Sequence, residues 1–376
     1  MTGKEIGKTV LYWLRDVFIG KPKDPNAPKK GFVKEWADAI IFAVVAATLI
    51  RWAFFEAYTI PTPSMEKSLL VGDFLFVSKL HYGPRTPQTI LQVPLTHQKI
   101  WGTDIPSFSD AIQVPSFRFP GFTSIKNNDV VVFNWPADEG YPTDLKTNYI
   151  KRCVAVAGDT LQIIDTKVII NGQVAKIPEK VQFQYYLITK ENINDRIFKA
   201  NKITDYYPIP EGYVVHTQPE TIEKLKGMPF ISQVIQVKQQ EGVGDPSVMP
   251  HNSKYNWNID FFGPLWVPKK GATIQMTPEN VILYESTISR YEGHENVTVE
   301  QGKLLIDGKA IESYTFQQNY YFMMGDNRHN SLDSRFWGFV PEDHVVGKGF
   351  LIWMSLDKDG NFLHKIRWNR LFNLIE

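Results

Sequence analysis

The chain has 376 residues, 43% hydrophobic and 22% charged. That is the composition of a folded protein larger than a usual single domain, and it excludes extended disorder beyond the N-terminus. The formal net charge is +1 and the basic residues are not massed on the folded part, so nothing asks for nucleic acid. The single Cys153 excludes an intramolecular disulfide.

From the N-terminus, residues 1–36 carry Lys4, Lys8, Arg15, Lys21, Lys23, Lys29, Lys30 and Lys34. The apolar residues at 10–14 and 17–19 mark a short amphipathic helix ended by Gly20, and 21–30, with Pro22, Pro25 and Pro28, reads as a linker. Residues 39–50 are apolar apart from Thr48. This run is short of the ~20 residues a span needs, but extension through Arg51 to Ala57 reaches that length if the arginine snorkels. We expect one transmembrane helix at 37–57, with Trp52 and Tyr58 at the interface. A cleaved secretory signal fits less well, because a long segment precedes the run and no small-residue cleavage site follows it. The positive-inside rule then places 1–36 in the cytoplasm and the rest of the chain outside.

Beyond the helix the pattern is mostly strand. Runs at 74–77, 130–133, 153–156 and 161–164 are β-rich, and 168–173 signals a hairpin through Asn171-Gly172. Residues 303–309 repeat that signature with Asp307-Gly308. The expected fold is mainly β: an antiparallel catalytic sheet in two parts, 58–174 and 281–357, separated by an inserted segment at 175–280 and followed by a C-terminal segment at 358–376. Within the insertion, 182–196 and 220–226 suit helix and 242–268 is loop-rich. The cations and aromatics of 366–372 fit either lipid headgroups or a terminal helix packed on the domain.

The chemistry rests on Ser64 and Lys151. Ser64 follows two prolines in Pro61-Thr62-Pro63-Ser64-Met65-Glu66, and Lys151 lies in apolar, strand-like sequence. Taken singly, the serine is a turn residue and the lysine a solvated strand edge. Together they can form a nucleophile and its base, since burial disfavours a charged lysine and lets it accept a hydroxyl proton near pH 7. Alternation puts Cys153 on the same strand face as Lys151, although a buried small hydrophobe is its simpler reading.

Two further segments complete a pattern: 128–133 ahead of the lysine, and Met324-Gly325-Asp326-Asn327-Arg328-His329-Asn330-Ser331-Leu332-Asp333-Ser334-Arg335 near the end. In content, order and spacing the chain resembles the bacterial type I signal peptidases (leader peptidases, peptidase S26 family). The resemblance covers the anchor, the serine box, the lysine box at 149–160 and the Gly-Asp-Asn box. It implies a membrane-bound serine endopeptidase, a hydrolase that removes N-terminal signal peptides from exported preproteins with a Ser-Lys dyad and no cofactor.

Carried over residue by residue, Ser64 is the nucleophile, Lys151 the general base, and Ser331 orients the lysine amine. The Thr62 hydroxyl and the Ser64 N–H form the oxyanion hole, and Asp333 and Arg335 form a structural ion pair. Ile60, Pro61, Met65, Leu69, Tyr149 and Ile150 line the first substrate pocket. The implied setting is the inner (cytoplasmic) membrane, single-pass, with the catalytic part on the outer, periplasmic face. Partners are preproteins and the lipid bilayer, with the protein export machinery left open. The chain departs from the family pattern at Pro63, where glycine is common, at Lys67-Ser68 after Glu66, at His329, where aspartate is frequent, and in 154–159, which lack a proline.

Asp326, Asn327, Asn330 and Asp333 do not have EF-hand spacing, and Arg328 and Arg335 oppose a cation. His81, His97, His251 and His329 are too scattered for zinc, so no metal is expected. Two alternatives stay open: a non-catalytic anchored subunit that binds signal segments, and another Ser-Lys peptidase.

Overall fold

The structure is a computed structural model and describes residues 31–357, 360 and 365–375. The expected helix at 10–19, the linker at 21–30 and every listed cation before Lys34 lie outside the described residues. The first described element is the 22-residue helix Phe32–Ala53. Its uninterrupted apolar stretch runs only between Asp38 and Arg51, and no helix among the described residues is long and apolar enough to cross a membrane. None of its residues is buried.

The helix stops four residues short of the boundary expected at Ala57. Phe54 N–H still closes on the Ile50 carbonyl, and Phe55–Thr59 then pairs antiparallel with Asp73–Ser78, from Phe55↔Ser78 to Thr59↔Phe74. The ladder satisfies backbone groups that a longer helix would otherwise claim.

That pair begins the main sheet. Its order is Phe55–Thr59, Asp73–Ser78, Val345–Ser355, Val130–Asn134, Asn148–Ala155, Tyr320–Met324 and Val340–Pro341, antiparallel throughout. Every residue of the central strand Val130–Asn134 is buried, as a strand covered on both faces requires. Val130 and Val132 pack with Ile60, Met65, Leu69, Leu75 and Val77. The alternate residues Val131 and Phe133 pack with Cys153, Tyr321, Met323 and Val340 on the other face.

Thr160–Ile164 and Lys167–Ile170 leave the main sheet as a hairpin, and the first of the two strands pairs with Phe262–Trp266. The Asn171-Gly172 and Asp307-Gly308 turns form as expected, with positive φ at all four residues, the geometry that matches strand twist in a two-residue loop. Val248, Met249, Phe262, Leu265 and the helix Pro278–Tyr291 share one core with Leu161, Phe322 and Phe339.

Residues 181–231 instead have a core of their own, built on Phe183, Leu187, Phe198, Val215 and Ile222. Its sheet runs Asp205–Ile209, Gly212–Thr217, Phe183–Thr189, Ile231–Gln236. The helix expected at 182–196 is therefore corrected. Phe183, Tyr185 and Leu187 are buried in alternation as a strand, and helix begins only at Asp195–Ala200. The expected helix at 220–226 forms as Pro219–Lys226.

At the C-terminus a 3-10 turn, Trp368–Arg370, and the short strand Asn373–Leu374 dock on Val345–Ser355. Arg370 Nη2 lies 2.5 Å from Asp73 Oδ2. The segment thus packs on the sheet through a turn and a strand, not a terminal helix.

Candidate active site

Ser64 sits in the 3-10 turn Pro63–Met65, one step beyond the edge strand Phe55–Thr59. Pro63 holds the first helical φ and removes an amide that would find no partner in the turn. Met65 and Leu69, fully buried, anchor the turn to the sheet. Lys151 lies on Asn148–Ala155, opposite Val131. The fold brings the two together: Lys151 Nζ donates to Ser64 Oγ at 2.8 Å and to the Ile150 carbonyl at 3.0 Å.

Ser64 is 9% exposed and Lys151 4%. Burial pushes the lysine amine down to about 8, against the opposing pull of the Asp333 and Asp326 carboxylates. The amine also stands 5.2 Å from the centre of the Tyr149 ring, which stacks on Trp135. A lysine in this state loses its proton easily and lies within hydrogen-bond reach of a hydroxyl, the arrangement general-base activation needs.

Thr62 is exposed and its side chain caps no amide of the turn. Ser331 Oγ is buried without a hydrogen-bond partner among the described residues, so the bond expected from it to Lys151 is not formed. It stays beside the site, near the Ser64 carbonyl across Gly325. Asp333 and Arg335 pair as expected, with Arg335 Nε and Nη2 each 2.9 Å from a carboxylate oxygen. Burial pushes the Asp333 carboxyl up, but Arg335 and the Gly325 N–H outweigh it and hold the group low.

The expected pocket residues do not form one lining. Ile60, Met65 and Leu69 are buried in the core, with Ile150 packed against them, whereas Tyr149 packs on the opposite cluster and Pro61 is exposed. A cavity of about 560 Å³ lies to one side, lined by Trp52, Tyr58, Arg85, His97 and Asn148 among others. The dyad is not in it. Cys153 is fully buried and burial drives its thiol up, so it is no nucleophile.

Several supporting contacts escaped sequence reasoning. Arg152, next to the lysine, forks onto Asp326 at 2.8 and 2.6 Å, and Ser68 Oγ donates to the same carboxylate at 2.5 Å. Asn327 N–H donates to the Ser64 carbonyl at 3.0 Å, and its Nδ2 to the Pro63 carbonyl at 3.3 Å. Their position within the quoted boxes was the only available signal. His329 accepts from the Gln184 N–H at 3.2 Å and lies 3.0 Å from Asp260 Oδ1, so the departure at this position has a buried partner of its own. No cluster of ligating side chains suited to a metal occurs among the described residues.

Comparison with known proteins identifies a family. A family model described as "Signal peptidase, peptidase S26" matches residues 33–219 and 285–354. The signal peptidase I of Buchnera aphidicola subsp. Acyrthosiphon pisum (strain APS) is 27% identical over 335 residues, covering 87% of this chain and 77% of its own. That of Aquifex aeolicus (strain VF5) is 26% identical over 316 residues, 84% of this chain and 82% of its own. For Helicobacter pylori (strain J99 / ATCC 700824) the identity is 24% over 358 residues, 92% of each chain.

Proposed function

We propose that this chain, which belongs to the signal peptidase, peptidase S26, family, cuts signal peptides from preproteins with a Ser64–Lys151 dyad while anchored in a membrane. It is a serine peptidase, a hydrolase whose relatives are named signal peptidase I. The observation that carries the dyad is the 2.8 Å contact between two buried side chains, one of them a lysine already pushed down to about 8.

In the proposed mechanism neutral Lys151 takes the proton from Ser64 Oγ as the oxygen attacks the scissile carbonyl. The negative charge that develops on the carbonyl oxygen is held by the Ser64 N–H and the Thr62 hydroxyl. The lysine then protonates the leaving amine. Water, deprotonated by the same amine, releases the acyl-enzyme and restores the serine. Ser331 would support the amine in a loaded site, a role favoured by its Oγ lying near the Ser64 carbonyl across Gly325, and Asp333, paired with Arg335, accepts from the Gly325 N–H.

The helix Phe32–Ala53 supports the anchor. At ~1.5 Å per residue it is roughly 33 Å long, and Ile40, Ile41 and Ile50 are exposed, with nothing among the described residues covering them. Arg51 at its outer end pairs with Glu56 at 2.6 Å, so its charge is held beyond the apolar stretch. The proposed setting is a single pass of the cytoplasmic membrane, with residues before the helix inside and the catalytic part on the outer face. Division into parts at 58–174, 175–280 and 281–357 belongs to the same proposal.

The test is cleavage of a model preprotein by the detergent-solubilised chain. Ser64→Ala and Lys151→Ala should each abolish cleavage, and Lys151→Arg should be equally dead because arginine does not give up its proton. A Lys151→Ala enzyme with near-normal turnover would sink the mechanism.

A further inference from the structure

Asn327 holds the carbonyls of both Pro63 and Ser64, and its own side chain is held in turn by the segment inserted between the lysine box and the Gly-Asp-Asn box. Asp205 Oδ2 accepts from Asn327 Nδ2 at 3.1 Å and from Asn330 Nδ2 at 2.8 Å. His216 Nδ1 lies 3.2 Å from Asn327 Oδ1, which can only accept, so that nitrogen carries the hydrogen. Asp205 and His216 face each other across the strands Asp205–Ile209 and Gly212–Thr217. One ladder position therefore grips both ends of one amide. The neighbouring Thr204 Oγ1 donates to Glu66 Oε1 at 2.7 Å, a second tie from the same segment to the serine turn. His216 is 4% exposed and Asn327 fully buried, so water does not compete for the bond between them.

We infer that Asp205 and His216 are positioning residues for the reaction: through Asn327 the inserted segment fixes the turn that aims Ser64 at Lys151. An amide with both ends held has one orientation, and the turn carbonyls bonded to its Nδ2 and N–H are fixed with it. A nucleophile displaced by about 1 Å can cost on the order of a hundredfold in rate, so a loosened Asn327 reaches the chemistry without touching substrate. The inference rests on the dyad reading above.

The experiment measures kcat, KM and the pH–rate profile for a preprotein with a mapped cleavage site, using the full chain in detergent. Asp205→Ala should lower kcat about tenfold with KM unchanged, and the acid limb, which belongs to Lys151, should not move. Asp205→Asn keeps the one oxygen that accepts both amides and should stay within about threefold of the parent. Asn327→Ala should lose at least as much as Asp205→Ala, and the double variant should be no worse than Asn327→Ala alone, since the two act along one route.

Should Asp205→Ala fail to fold, Asp205→Ser, too short to reach either amide, is held to the same expectation. Parental kcat in a folded Asp205→Ala or Asp205→Ser, or losses that add in the double variant, would overturn the inference. Ser64→Ala separates the two levels. If it still cleaves, the dyad reading fails; if it is dead while Asp205→Ala is unaffected, only the role of the inserted segment fails.

Discussion

Replacing Lys151 by methionine should destroy activity and stabilise the protein, and the stabilisation should shrink as pH rises. The amine is 4% exposed and its pKa is lowered by burial from 10.5 to about 8. Between those values the unfolded chain binds a proton that the folded one does not, so this group's contribution to stability rises with pH. Below about 8 the full penalty of burying the amine is present. Linkage puts it at roughly 3 kcal/mol at pH 7 and roughly 2 kcal/mol at pH 9. Methionine has a similar shape and no charge, but it loses the bonds to Ser64 Oγ and the Ile150 carbonyl, each worth about 1 kcal/mol. Those losses are the same at both pH values. The clean quantity is therefore the change in the stability difference, roughly 1 kcal/mol smaller at pH 9 than at pH 7. Denaturant unfolding of parent and variant at both pH values measures it. A stability difference that does not change between pH 7 and 9 would show that the lysine is not desolvated, and the general-base argument would lose its physical basis.

The rate profile follows from the same group. A base must be neutral to act, so cleavage should rise about tenfold from pH 7 to 9, with its acid limb near 8; a limb near 6 or a flat profile would assign the base elsewhere. Gly325→Ala should cost at least about tenfold in kcat, because a Cβ there would lie 2.2 Å from Ser331 Oγ and 2.6 Å from the Ser64 carbonyl oxygen; normal turnover would mean the turn can move without harm. Asp326→Ala removes the carboxylate onto which the buried Arg152 guanidinium forks and should destabilise by roughly 3–5 kcal/mol in denaturant unfolding, with a loss under 1 kcal/mol counting against a buried ion pair. Cleavage-site mapping should find a small residue just before the cut, since the Tyr149 ring stands 5.2 Å from the Lys151 amine and narrows the space beside the dyad; efficient processing after leucine or phenylalanine would contradict that.

Short-range rules were enough for much of this chain. Asn171-Gly172 and Asp307-Gly308 announced their hairpins because few residues accept positive φ in succession. The alternation of Phe183, Tyr185 and Leu187 would have identified the strand that we expected to be helix, had the period of two outweighed the helix-forming residues around it. Ser64, Lys151, Asp333 and Arg335 were legible as residue types in fixed boxes.

What no local pattern contains is which boxes meet. Ser64 and Lys151 are 87 positions apart, Arg152 and Asp326 are 174, and Asp205 and Asn327 are 122. Those meetings depend on strand order and register, because shifting a strand by one residue turns every side chain to the other face. The depressed lysine is likewise a product of tertiary structure, since a pKa responds to the burial and charges that distant segments bring to it. The sequence by itself determined which serine and which lysine to consider together and where the hairpins turn. Only the packed sheet decided that Ser64 and Lys151 touch, that the helix ends at Ala53, and that the inserted segment reaches back to hold the serine turn, because each of these is a contact between segments far apart along the chain.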